Sequence, residues 1–262
     1  MILVADIGNT NIKIGVFEGD KLVDSTRLAT SARKTADEYW LMLKDMFRVR
    51  GISPEQIDGA IMSSVNPNLN YTIEHMISYN FGVTPMVVGA GIKTGLKIKY
   101  DNPKEVGGDR IVGAVAAYQT YGGPVITIDC GTATTFNVVN EKGEFLGGCI
   151  SFGLKTATDS LSSSAARLPN IELSVPPTVI NKSTITNMQA GIIYGFVGMV
   201  EKIVGQIKSE IGEAKVVATG GLSQIILNHT KIIDAFDKTL TLRGLNIIYN
   251  LNKNTNKKVE TK

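Results

Sequence analysis

Cysteine is nearly absent from this sequence: Cys130 and Cys149 are the only two in 262 residues. A single pair builds no disulfide framework of the kind that staples small secreted domains. Histidine is equally scarce, and His75 and His229 stand far apart in the chain and away from both cysteines. No zinc-ligand spacing results. Long hydrophobic runs are missing as well. The longest apolar stretch, residues 190–200, is too short to span a bilayer and is followed at once by Glu201-Lys202. Gly191-x-x-x-Gly195 inside it reads as the close-packed face of a buried helix. The opening Met1-Ile2-Leu3-Val4-Ala5-Asp6 has neither a basic segment nor an apolar region of signal-peptide length. These absences lead us to expect a cytoplasmic protein with no membrane partner.

The body of the chain also lacks an excess of charge of either sign. The formal net charge is +3, and residues 251–262 alone hold Lys253, Lys257, Lys258 and Lys262 against Glu260. The remainder is formally neutral, which argues against the broad cationic face that nucleic-acid binding requires. Residues 253–262 read as a polar flexible tail.

What the chain does have is glycine, 27 residues of it, set in turns between short apolar strands. Residues 2–6 form an apolar run that ends at Asp6. The turn Gly8-Asn9-Thr10-Asn11 follows, and then Ile12, Ile14 and Val16 alternate with Lys13, Gly15 and Phe17. This predicts a β-hairpin with a polar turn, followed by a third strand over residues 21–29. Thr35-x-x-Glu38 has capping-box spacing, Tyr39, Leu43, Met46 and Phe47 recur at helical period, and Gly51 supplies a stop. Strands at residues 57–63 and 85–88 flank a helix over residues 69–79. Such alternation implies an α/β fold with mixed sheets flanked by helices.

The opening pattern then returns. Residues 125–139 read as strand, acid, glycine turn and strand, with Asp129 in the place of Asp6 and Gly131 in the place of Gly8. An internal repeat of this length implies two similar domains, 1–115 and 116–252, joined inside the helix that follows Asp109. A third glycine turn, Gly220-Gly221, follows a strand at residues 215–218 and precedes a helix starting at Leu222 or Ser223.

Each motif has a chemical and a plain reading. Glycine lets backbone N–H groups turn toward an anion, and an acid just before such a turn holds magnesium through water. Asp6-x-Gly8-Asn9-Thr10 with Lys13 fits that use, and it also fits an ordinary Asx-type hairpin turn; the recurrence at Asp129-x-Gly131-Thr132 favours the phosphate reading. In Gly107-Gly108-Asp109-Arg110, Asp109 is either a helix cap or a carboxylate that accepts the proton of an attacking hydroxyl. Arg110 and the amides of that helix start suit a substrate carboxylate. Gly89-x-Gly91-x-x-x-Gly95 is a near-miss for a dinucleotide fingerprint. The alternating Leu96-Lys97-Ile98-Lys99-Tyr100 follows it where a helix is required. No Walker A pattern occurs, and Cys130 reads as a small buried residue.

Taken together, these residues resemble the type III pantothenate kinases. The resemblance rests on Asp6-Ile7-Gly8-Asn9-Thr10-Asn11, Ser63-Ser64-Val65-Asn66-Pro67, Tyr100-Asp101-Asn102-Pro103 with Gly107-Gly108-Asp109-Arg110, and residues 129–135. Gly147-Gly148, Lys182-x-Thr184 and Leu240-Thr241-Leu242-x-Gly244-Leu245 extend it to about residue 252. It implies two RNase H-like domains of the actin-like ATPase type, a homodimer, and phosphorylation of pantothenate by ATP, the first step toward coenzyme A. It implies magnesium and a monovalent cation, potassium or ammonium. Carried over by position, Asp6, Ile7, Gly8, Asn9, Thr10, Asn11, Ile12, Lys13 and Thr132 would bind ATP, with Asp6 on the magnesium. Asp109 would be the general base. Tyr100, Gly107, Gly108, Asp109, Arg110 and Thr184 would bind pantothenate, and Asp129 would hold the monovalent cation. Three positions depart from the family pattern: Gly108 for Ala, Asn137 for Asp and Phe152 for Pro. Other members of the superfamily, such as sugar kinases and exopolyphosphatases, would share the nucleotide loops, and an accessory regulatory factor is the alternative from a different class.

Overall fold

The computed structural model describes residues 1–256. In chain order the elements are β1 (Ile2–Ile7), β2 (Asn11–Glu18), β3 (Lys21–Ala29), α1 (Ala36–Arg50), β4 (Gly59–Ser64), α2 (Pro67–Phe81), β5 (Met86–Val87), β6 (Lys97–Ile98) and α3 (Gly108–Tyr121). They continue with β7 (Val125–Cys130), β8 (Ala133–Val139), β9 (Glu144–Phe152), α4 (Leu154–Ser164), α5 (Thr184–Ile211), β10 (Lys215–Thr219), α6 (Ser223–Leu227), β11 (Ala235–Phe236) and α7 (Leu240–Asn256). The chain folds into two compact units. The first is Met1–Ala116 together with the segment from Thr239, and the second is Ala117–Lys238.

In the first unit the strand order is β3-β2-β1-β4-β5. β1 runs antiparallel to β2 and parallel to β4, with Asp6 opposite Lys13 on one side and Ser63 on the other. Period-two alternation sorts the side chains. Leu3, Ala5 and Ile7 join Ile12, Ile14, Val16, Ala60 and Met62 in a core with Tyr39, Leu43 and Phe47 of α1 and Ile73, Met76 and Ile77 of α2. Asp6, Lys13 and Ser63 alternate with these residues, so they fall on the opposite face of the sheet. α7 packs on β1, β2 and β4, and its Leu242 lies beside Gly15 and Val4 of that opposite face. α1 starts at the expected capping box, with Thr35 accepting from the Glu38 N–H, and ends at Gly51 in the left-handed region. α2 begins two residues earlier than periodicity predicts, because Pro67 fills the first helical position, where its missing N–H costs nothing.

The second unit repeats the pattern. β7 is antiparallel to β8 and parallel to β10, β8 is antiparallel to β9, and β10 is parallel to β11. Its core joins Ile126, Ile128, Phe136, Val216 and Ala218 to Phe196, Val197, Val200 and Val204 of α5. Two expectations about α5 are corrected. The apolar stretch at residues 190–200 belongs to a helix of 28 residues, long and apolar enough by length and composition alone to cross a membrane. One face of that helix packs into the core of its own unit, and the other carries Glu201 and Lys202. Gly191 and Gly195 lie exposed on the outer side, with no heavy atom near where a Cβ would stand, so they are not a close-packed face. α6, expected after Gly220-Gly221, is only five residues long. α7 continues to Asn256, so residues 253–256 of the expected tail are helical. Asn252 ties α7 to the Lys93 backbone at 2.8 and 3.0 Å. Residues 257–262 of that tail lie outside the described residues.

Candidate active site

The site residues expected from sequence fall into two groups, one in each unit. In the first, the turn after β1 closes with the Gly8 N–H donating to the Asn11 carbonyl at 3.0 Å. Thr30 clamps the turn from β3: its N–H donates to the Thr10 carbonyl at 3.0 Å and its hydroxyl to the Gly8 carbonyl at 2.8 Å. Asn9 and Thr10 remain exposed at the tip, while Ile7 and Ile12 are buried beneath it. Asp6 is only 6% exposed. Burying a lone carboxylate costs several kcal/mol, and here it is compensated on both oxygens. The Ser63 hydroxyl donates to Oδ1 at 2.8 Å, and the Lys13 ammonium stands 3.4 Å from Oδ2. Lys13 Nζ also donates to the Thr241 hydroxyl at 3.4 Å.

These groups fit magnesium as it is held in nucleotide sites, by one carboxylate with water and substrate phosphates rather than by a protein cage. No cluster of three or more His, Cys, Asp or Glu side chains suited to a metal exists among the described residues. Since the Asp6 oxygens already engage Ser63 and Lys13, Asp6 would reach the metal through its water. Sequence reasoning assigned no role to Ser63, Thr30 or Thr241.

The second cluster of the first unit is the start of α3. Gly107 precedes the helix, its carbonyl accepting from the Arg110 and Ile111 N–H groups. Asp109 Oδ1 accepts from the Arg110 N–H at 2.8 Å, so the carboxylate lies at the positive end of the helix. A Cβ on Gly107 would stand 2.6 Å from that oxygen. Glycine is therefore what leaves the carboxylate its space. Arg110 is buried, and its guanidinium lies 6.0 Å from the centre of the Tyr100 ring. A cation and an aromatic ring at that range attract each other, and a guanidinium is a chemical match for a carboxylate.

Gly108, where the family has Ala, sits on the first turn of α3 with a φ that any residue adopts. A Cβ there would meet Ser63 Cβ and Val88 Cγ1 at 3.5 Å, ordinary contact. Gly108→Ala is expected to stabilise the protein by about 0.4–1 kcal/mol by restricting the unfolded chain. Thermal denaturation reads this as a rise of roughly 1–3 °C, and a lower midpoint would show that the glycine is required.

In the second unit Asp129 stands one residue before the end of β7, paired with Thr135 and Thr219. Gly220, at φ +98, brings its backbone against Asp129: a Cβ there would stand 2.7 Å from Oδ1 and 2.5 Å from the Cys130 carbonyl. A carboxylate and a carbonyl meeting at one glycine are oxygen donors of the type a hard cation takes. Thr132 is exposed, and its carbonyl accepts from the Thr156 hydroxyl at 2.7 Å and the Gly153 N–H at 3.1 Å. Asn137 is buried two residues beyond Thr135, its amide donating to the Thr127 and Thr135 hydroxyls. Phe152 pairs with Ala133 and is half exposed. Gly153, not residue 152, makes the contact with the second turn. Thr184 is exposed at the first position of α5, behind the Ser183 cap. Cys130 is buried, and desolvation pushes its thiol up to about 12. It is therefore protonated at neutral pH and is no nucleophile.

A Baf family protein of Campylobacter jejuni, described as a candidate transcriptional activator, matches with a TM-score of 0.62 at 20% identity, over 96% of this chain and 99% of its own. The activator of 2-hydroxyisocaproyl-CoA dehydratase from Clostridium difficile, solved with bound ADPNP, matches with a TM-score of 0.57 at 13% identity, over 100% and 98%. An inorganic polyphosphate/ATP-glucomannokinase from Arthrobacter sp. strain KM matches with a TM-score of 0.51 at 13% identity, over 96% and 98%. These likenesses place the fold in the actin-like ATPase class. The family model for type III pantothenate kinases matches residues 2–206. The chain thus belongs to the type III pantothenate kinase family and is a kinase, a phosphotransferase.

Proposed function

We propose that this protein transfers the γ-phosphoryl group of ATP to the primary hydroxyl of pantothenate, giving 4'-phosphopantothenate. The observation that carries this reading is the start of α3, where a carboxylate and a buried guanidinium sit on consecutive residues beside Tyr100. Arg110 anchors the pantothenate carboxylate, and Asp109 orients the hydroxyl and accepts its proton. The exposed tip of the turn after β1, Asn9 and Thr10, with Lys13, holds the ATP phosphates. By their positions in the family motifs, Thr132 contacts ATP and Thr184 contacts pantothenate. Magnesium, when bound, neutralises phosphate charge and fixes the γ-phosphate in line. Asp129, with the carbonyl beside it, holds a monovalent cation, potassium or ammonium. Phosphoryl transfer leaves the protein little covalent chemistry to do, so most of the rate comes from this positioning. The reading carries with it a cytoplasmic homodimer.

The test is to incubate the protein with ATP, magnesium and potassium, with and without pantothenate, and to measure ADP and phosphopantothenate. Formation of both only when pantothenate is present is the expected result. ADP formation that ignores pantothenate would overturn the acceptor and point to another superfamily substrate. The Baf description of the Campylobacter protein makes DNA binding the alternative if no turnover is seen; the neutral body of the chain disfavours it.

A further inference from the structure

We propose that Thr241 is a positioning residue for Lys13, holding its ammonium at the phosphate turn. The inference rests on the nucleotide-site reading above. It takes in a part of the chain that the family model, ending at residue 206, does not reach.

Thr241 is 1% exposed, and its hydroxyl accepts from Lys13 Nζ at 3.4 Å across 228 residues of sequence. Lys13 also faces the Asp6 carboxylate at 3.4 Å. Both distances are longer than a tight charge-assisted hydrogen bond. The ammonium thus faces both a carboxylate and a hydroxyl. A lysine side chain has four rotatable carbons and loses much rotamer entropy when fixed. A rigid acceptor that holds it in advance lowers the cost of binding an anion.

Thr241 is such an acceptor because its helix cannot shift. Gly244 brings the backbone of α7 against the Val112 carbonyl of α3, and Leu242 fills the space beside Gly15 on β2. Asn246 donates to the Gly19 carbonyl at 2.9 Å. The Thr241 hydroxyl is therefore held by packing on either side of it. A buried threonine serving only the core would need no lysine partner.

The test is a double-mutant cycle on the full chain, read by the dissociation constant of magnesium-ATP in calorimetry and by KM for ATP. Thr241→Val removes the hydroxyl and keeps the shape; it is expected to weaken ATP binding roughly tenfold, with KM for pantothenate and thermal midpoint unchanged. Thr241→Ser is expected to restore wild-type binding. In a Lys13→Ala background, Thr241→Val is expected to add less than about a further twofold. Thr241→Ala carries the same cycle if valine is not accommodated. Unchanged ATP binding in Thr241→Val, or an equal loss with and without Lys13, would overturn the proposal. The binding readout needs no pantothenate, so an enzyme that binds ATP but leaves pantothenate untouched would sink the acceptor and still decide the role of Thr241.

Discussion

Replacing Asp109 with Asn is expected to lower kcat for pantothenate phosphorylation by about 10²- to 10⁴-fold, the range for loss of a positioned general base, while the ATP dissociation constant changes little. Asparagine has the size of aspartate, and its Oδ1 can still accept from the Arg110 N–H that now holds Asp109 at 2.8 Å. The fold at the start of α3 therefore survives the exchange. What asparagine cannot do is take a proton from the hydroxyl. The loss should appear in kcat and kcat/KM together, the signature of a group that acts in the transition state and not in substrate binding. Gly107→Ala is the matching geometric control. Its Cβ would stand 2.6 Å from Asp109 Oδ1, so the carboxylate must swing away while the helix stays. Near-normal kcat in Asp109→Asn would remove Asp109 from the chemistry and leave it as an acid in the first turn of α3.

The parts of this molecule that were legible in the sequence are those written in short-range patterns. Strand alternation around Asp6 is a period-two signal, and its recurrence around Asp129 exposes the internal repeat. Within each unit an antiparallel trio is extended by two parallel strands, β3-β2-β1-β4-β5 in the first and β9-β8-β7-β10-β11 in the second. The capping box at Thr35 was legible for the same reason. Ser63 and Thr241 carry no local signal of their roles, because those are set by register and tertiary packing. Ser63 meets Asp6 only once β4 pairs in parallel with β1, across 57 residues. Thr241 meets Lys13 because α7, which follows the second unit in sequence, belongs to the first. No local spacing announces either event. The outward placement of Gly191 and Gly195 is different, since it was available from periodicity. Ile193, Phe196, Val197, Val200 and Val204 mark the buried face of α5, and the two glycines fall off that stripe. The close-packed reading of Gly191-x-x-x-Gly195 conflicts with that stripe, which leaves both glycines on the outer face.

Gly244→Ala is expected to destabilise the protein by about 3 kcal/mol, at the upper end of what overpacking costs, and to lower the thermal midpoint by roughly 6–12 °C. Two effects oppose each other here. Inside a helix, alanine is favoured over glycine by about 1 kcal/mol. Against that, a Cβ at residue 244 would stand 2.0 Å from the Val112 carbonyl oxygen, 2.8 Å from its carbon and 2.9 Å from Cγ1. The first two are backbone atoms of α3, so no rotamer change relieves them and the helices must separate by an ångström or more. The clash therefore wins. Gly205, exposed on α5 with open space at its Cβ position, isolates the propensity term, and Gly205→Ala is expected to raise the midpoint by a few degrees. Opposite signs for one chemical change at two helical glycines would show that contact geometry, and not propensity, fixes Gly244. Separation of α7 from α3 also moves Thr241, three residues before Gly244 on the same helix. Gly244→Ala should therefore weaken ATP binding more than it weakens pantothenate binding. A stable Gly244→Ala protein with unaltered ATP affinity would mean that α7 packs loosely enough to absorb a methyl group, and the rigid support assigned to Lys13 would go with it.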